Sequence, residues 1–156
     1  NEVSNIQIPP ATPEKLTPEQ EYAKLAAAPT GVVKANWAPS SPDAKDLKDV
    51  SGDVVWSDAK QEGFMRLKGL PVNDKSKTTY QLWIFDKTQD PKTPIDGGTF
   101  DVDKNGEVIV PIDAKLKALE PALFAITIEK PGGVVVSDRK RIAALAKVEP
   151  QSKSST

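Results

Sequence analysis

The apolar positions of residues 79–86 fall on both faces of an extended chain. Tyr80, Leu82 and Ile84 share one face, and Trp83 and Phe85 share the other. A strand apolar on both sides is covered on both sides, so this run is expected inside a sheet, with material packed above and below it. Other runs alternate with period two and bury one face. Val33, Ala35 and Trp37 alternate with Lys34 and Asn36, and Val54 and Trp56 share a side of residues 53–57. Met65 and Leu67 alternate with Arg66 and Lys68, and Phe124, Ile126 and Ile128 alternate with Ala125, Thr127 and Glu129. Runs 63–68 and 123–129 are the expected partners of the central strand. Val108, Val110 and Ile112 give another alternation, and Pro111, which lacks an N–H, puts that strand at an edge. Residues 134–136 and 142–148 are the last extended runs.

Turn and cap residues divide these runs. Thr17 is an N-cap, Pro18 stands at the first helical position, and Gln20 completes a capping box, so a helix is predicted over 18–28. Its Tyr22, Leu25 and Ala26 share a face, and so short a helix needs a surface to dock on. Residues 43–49 are charged and read as loop or one helical turn, and 71–77 as an exposed loop. Gly97–Gly98 suits a bulge. Asn105–Gly106 is a hairpin signal between 99–102 and 108–112. Asp113 is placed to cap a helical turn through Leu119 that Pro121 stops. Pro9, Pro10 and Pro13 make 1–16 a stalk or linker, and 149–156 is a polar, Ser-rich tail. The whole predicts one all-β domain over 17–148. Its expected architecture is an antiparallel β-sandwich, with an Ig-like arrangement among the possibilities, and one short N-terminal helix.

Composition narrows the chemistry. The chain's 156 residues suffice for one domain with a core. With 21 Lys+Arg against 22 Asp+Glu, no excess of positive charge holds a phosphate backbone, so nucleic acid is not an expected partner. No apolar run approaches the roughly 18–20 residues that span a bilayer. From Asn1 the chain is polar and proline-rich and shows no signal-peptide pattern, an absence that distinguishes nothing, since a mature form or an excised fragment would lack one too. The chain has no Cys and no His, which excludes disulfides, thiolate zinc sites and Ser-His-Asp or Cys-His catalysis.

Four constellations remain. Asp101, Asp103, Asn105 and Gly106 match the opening of a calcium loop, but Ile112 stands where the bidentate Glu belongs, and a turn accounts for the same residues. Trp37, Trp56 and Trp83 could stack on sugars, yet each lies in an alternating apolar run that suits a core. Asp and Glu are scattered without the pairing that a carboxylate hydrolase needs. Gly97–Gly98 and Gly132–Gly133 open no helix and carry no Lys-Ser/Thr signature, so they are not phosphate loops. No catalytic, cofactor-binding or metal residues are expected, and no cofactor.

Gly63–Phe64–Met65–Arg66–Leu67–Lys68–Gly69–Leu70–Pro71, Tyr80–Gln81–Leu82–Trp83 and the ordered pieces after them, within residues 54 to roughly 148, resemble the C-terminal domain of the anti-sigma-K factor (RskA-type) family. The run 63–71, ending in Leu70–Pro71, looks like that family's strand ending in Leu-Pro, and Tyr80–Gln81–Leu82–Trp83 looks like its Tyr-Gln-Leu-Trp. Gly98–Thr99–Phe100, the 103–106 turn, Ile126–Thr127–Ile128–Glu129 and Pro131–Gly132–Gly133 follow in the family's order. The chain departs from the pattern at Lys130, which separates Glu129 from Pro131, and at Ser137–Asp138–Arg139, where Pro-Thr-Gly is expected. The resemblance implies a non-enzymatic, extracytoplasmic sensor domain of a membrane-anchored anti-sigma factor. It would act in signal transduction and transcription regulation, with the sigma factor held by a cytoplasmic part outside this chain. A site-1-type protease would cut the stalk, and residues 1–16 would be that juxtamembrane stalk. The alternative is a secreted or surface-anchored binding module, for example for glycans.

Overall fold

The computed structural model describes residues 16–40, 47–103 and 107–148. Among the described residues one helix, α1 (Pro18–Ala26), precedes eight strands. These are β1 (Val32–Pro39), β2 (Ser51–Ser57), β3 (Glu62–Lys68), β4 (Thr79–Asp86), β5 (Ile95–Phe100), β6 (Glu107–Pro111), β7 (Pro121–Glu129) and β8 (Ile142–Val148). The helix forms where the capping box places it: the Thr17 hydroxyl accepts from the Gln20 N–H, and the Gln20 side chain accepts from the Thr17 N–H.

All eight strands belong to one sheet in the order β5-β4-β7-β8-β1-β2-β3-β6, and every pairing is antiparallel. The fold is thus all-β with one short helix, as the alternation predicts. The sheet curls until its edges nearly meet. Just past β6, the Asp113 N–H bonds the Gly97 carbonyl and the Lys115 N–H bonds the Asp96 carbonyl, both at 2.9 Å, which ties the β6 side to β5. The inner face encloses one core built around Trp56, Met65, Leu67, Leu82, Ile84, Phe124 and Ile126. Val54, Trp56, Met65 and Leu67 point inward as the alternation requires, and Pro111 does lie in an edge strand.

The outer faces have two different covers. Leu25 of α1 packs on Val55 and Phe64, with Tyr22, Ala26, Val32 and Ile109 around them. On the opposite half, residues 130–141 between β7 and β8 fold back as a strap across β4. This explains why every residue of β4 except Phe85 is buried. The expectation of cover on both sides holds, with a loop as the second cover.

Several expectations are corrected. The run 63–68 does not pair with the central strand; β4 lies between β5 and β7, while β3 pairs with β2 and β6. The tight turn 58–61 commits β3 to β2, and the connection 69–78 carries the chain to the other half. Strands β5 and β6 do not form a ladder across Asn105–Gly106. Pro111 offers no N–H, and a register shift opposite Gly97–Gly98 turns β5 toward β4, so only the base of that hairpin is bonded. Residues 134–136 are not extended strand; they belong to the strap, and Val135 is 89% exposed. No helical turn follows Asp113, and Pro121 opens β7. Side chains from elsewhere take the backbone groups that a helix would need: Gln61 bonds Ala118, and Asp86 bonds the N–H groups of Leu119 and Glu120. The stalk 1–16 (but for Leu16), the tail 149–156, most of 43–49 and the Asn105–Gly106 turn itself lie outside the described residues.

Candidate functional site

Of the residues that carry the family resemblance, Pro71, Tyr80–Gln81–Leu82–Trp83, Thr99–Phe100, Thr127 and Gly133 meet at β4. Leu70 is buried in the core, and the Pro71 carbonyl accepts the Tyr80 hydroxyl at 2.6 Å. The Tyr80 ring stacks on Phe100 with centroids 5.5 Å apart. Gln81 points outward and clasps one residue of the strap. Its amide donates to the Val134 carbonyl at 3.0 Å and accepts from the Val134 N–H at 2.9 Å, as a paired strand would. Gly133 permits this close approach: a Cβ there would lie 2.7 Å from Thr99 Cγ2 and 2.8 Å from Gln81 Oε1. The Trp83 indole N–H donates to the Thr127 hydroxyl at 2.9 Å. The strap is further held by Arg139, whose guanidinium lies 5.0 Å from the Phe85 ring and donates to the Pro91 carbonyl.

A second polar cluster fastens α1 to the sheet. The Tyr22 hydroxyl donates to Asp53, 2.7 and 2.9 Å from its two oxygens. Arg66 reaches Asp53 at 3.4 Å and Glu107 at 3.7 Å, and its guanidinium sits 5.6 Å from the Tyr22 ring. Burial, and then the Asp53 carboxylate through its hydrogen bond and its charge, push the Tyr22 phenol up to about 12. The phenol is therefore a hydrogen-bond donor throughout the physiological range. Lys34 adds a bond to the Ala26 carbonyl at the end of the helix, where a cation also suits the dipole. The four-residue set Tyr22–Asp53–Arg66–Glu107 gives no short motif, because its members are far apart in sequence. Only the charge pair across β2 and β3 (Asp53 opposite Arg66) could have been found from register.

A family model for the C-terminal domain of anti-sigma-K factor rskA matches residues 3–139. The chain belongs to that family. No match was found among curated proteins or among solved structures. The match covers both clusters, from α1 to Arg139 of the strap.

The tryptophans and carboxylates singled out in this anti-sigma-K factor domain lie in the core, in strands or on loops. Trp37, Trp56 and Trp83 are 4%, 0% and 1% exposed, so none offers a ring face to a sugar. The half-buried rings of Tyr22, Phe85 and Phe100 face Arg66, Arg139 and Tyr80 respectively, and the other six aromatic residues are buried. Asp101 accepts from Asn73 and Thr79, and Asp103 lies 2.7 Å from the Lys75 ammonium, so these carboxylates face protein donors. Asp86 is a buried carboxylate. Burial alone would raise its pKa, but bonds from the Thr88 N–H and hydroxyl and the Leu119 and Glu120 N–H groups hold it below the usual carboxylate range. That is the reverse of what a general acid needs. Among the described residues no helix is long and apolar enough to cross a membrane.

Proposed function

We propose that this domain is the extracytoplasmic regulatory part of a membrane-anchored anti-sigma factor, without catalysis of its own. It governs sigma-factor release by controlling proteolysis of the stalk before α1. The observation that carries this reading is the fastening of α1, the element that follows the stalk directly, to the outer face of the sheet. A protease requires an extended, accessible chain. Docked α1 withholds residues 17–31, whereas an undocked α1, too short to stay helical alone, adds them to the cleavable stretch. A signal that loosens the Tyr22–Asp53–Arg66 contact thereby becomes a cut. The sigma factor is held by a cytoplasmic part outside this chain, and a site-1-type protease makes the cut.

Limited proteolysis tests the reading. The first cuts are expected before Thr17 in the wild type. In Asp53→Ala, early cuts should extend into 17–31 while 32–148 stays intact. First cuts of the wild-type chain within 54–148 would sink it.

A further inference from the structure

Where the strap returns to β8 it builds a cleft of about 330 Å³ at the end of the sheet where β4 begins and β7 ends. Lys77, Lys130, Lys140 and Arg141 rim it, over Ile128 and Thr78. Its two carboxylates are already engaged: Glu129 accepts the Ser137 hydroxyl, and Asp138 accepts the Lys140 N–H. None of the four cations has an ion-pair partner among the described residues. Arg139 between them has φ 59° and lays its guanidinium over Phe85, leaving Lys140 and Arg141 on the cleft. A chain of net charge -1 thus sets four cations against two carboxylates around one concavity, and that positive balance focuses a positive potential there.

The direction of α1 indicates what meets this end. Ala26 is bonded to Lys34 near the start of β1, while Tyr22 lies against Asp53 and near Arg66, whose other partner is Glu107 at the start of β6. The helix therefore runs antiparallel to β1. Its N-terminus points to the end that carries the connections 69–78 and 130–141, and the cleft. We propose that this cleft binds the phosphate of an anionic lipid headgroup. The lipid source rests on the membrane anchoring proposed above; the phosphate chemistry rests on the cleft alone. Each cation near an anionic surface adds to the attraction, which the two carboxylates and salt reduce.

The test is co-sedimentation of the 156-residue chain with vesicles of equimolar phosphatidylglycerol and phosphatidylcholine, against phosphatidylcholine alone. Partition onto the anionic vesicles is expected to be about tenfold stronger or more at low salt. Lys130→Glu with Arg141→Glu should abolish the difference at an unchanged melting temperature, both sites being exposed. Lys87→Glu, at the opposite end of the sheet, should have little effect. Equal partition onto both vesicles overturns the proposal, as does an equal loss in the Lys87 variant. Glycerol phosphate is the second arm. If it saturably shifts the Lys130 and Arg141 amide resonances while vesicles do not bind, the lipid source is overturned and a soluble phosphate takes its place. The assay contains no protease and no sigma factor, so its failure leaves the stalk reading standing. Failure of the proteolysis test leaves the phosphate site standing.

Discussion

Asp86 ends the apolar run of β4, and in the sequence it is only a polar stop. In the fold its carboxylate organises two loops, through Thr88 on its own side and through Leu119 and Glu120 some 33 residues on. Its folded pKa is depressed, so the unfolded state binds more protons at acid pH. The stability it contributes is present above the unfolded value of 3.8 and is lost as pH falls through the lower folded value. Asp86→Ala is expected to cost about 1–3 kcal/mol at neutral pH and to flatten the acid limb of a melting-temperature profile below about pH 4. A variant whose acid limb matches the wild type would refute the role. Gln81 has the same character. It stands at a buried position in the middle of the central strand, and its clasp on Val134 is 53 residues away. Gln81→Ala should raise amide exchange at Val134 by about tenfold or more while exchange in β7 changes little. Neither residue was legible from pattern, because periodicity shows which face a residue occupies and not which distant backbone group meets it.

Elements were legible where their causes are local. The capping box, the Pro at the first helical position and the shared face of Tyr22 and Leu25 all lie within ten residues, and α1 forms where they place it. Inward and outward faces of β1, β2, β3 and β7 follow from alternation alone. The strap was misread because Val134, Val135 and Val136 have strand composition. Their neighbours Gly132 and Gly133 both have positive φ, and the chain turns there away from any ladder. How α1 docks was hidden too, since Tyr22, Asp53 and Arg66 come from three elements. The raised phenol pKa makes the contact testable. A group raised from 10.0 to about 12 contributes stability that is whole below pH 10 and lost as pH rises toward 12. Amide protection across 22–26 should therefore persist to about pH 10 and fall above it. Tyr22→Phe should lower that protection by about tenfold at neutral pH and remove its alkaline dependence. Retention of the alkaline loss in Tyr22→Phe would assign it to another group.

At the scale of the whole molecule, the family signature and the core are one set of contacts. Leu70, Tyr80, Gln81, Trp83, Thr99, Phe100, Thr127 and Gly133 are held together around β4, so the pattern that identifies the family is a packing pattern. It reports the fold directly, and the function follows through family membership, with the α1 contact giving it a physical handle. What the pattern did not contain is closure of the sheet, which depends on strand order. The first and last strands, β1 and β8, pair in its interior, while β5 and β6, successive in sequence, become its two edges. The seam between them is fastened by backbone bonds from Asp113 and Lys115 beyond β6, around a small cleft lined by Met65, Thr99, Phe100 and Val110. Lys115→Pro removes one of those N–H donors, while Lys115→Ala leaves it. The proline variant is expected to lose about 1–3 kcal/mol more than the alanine variant in urea unfolding. The wild type, with the seam intact, should unfold in one transition by far-UV circular dichroism and tryptophan fluorescence, because all three tryptophans share the sheet that the seam closes. Separate transitions would mean that the two halves of the sheet hold independently and that the seam adds no cooperativity. In that case the strap and α1, lying on opposite halves, could not influence one another. Coincident transitions would join α1 and the strap-side cleft to a single stability, so that an event at either reaches the other.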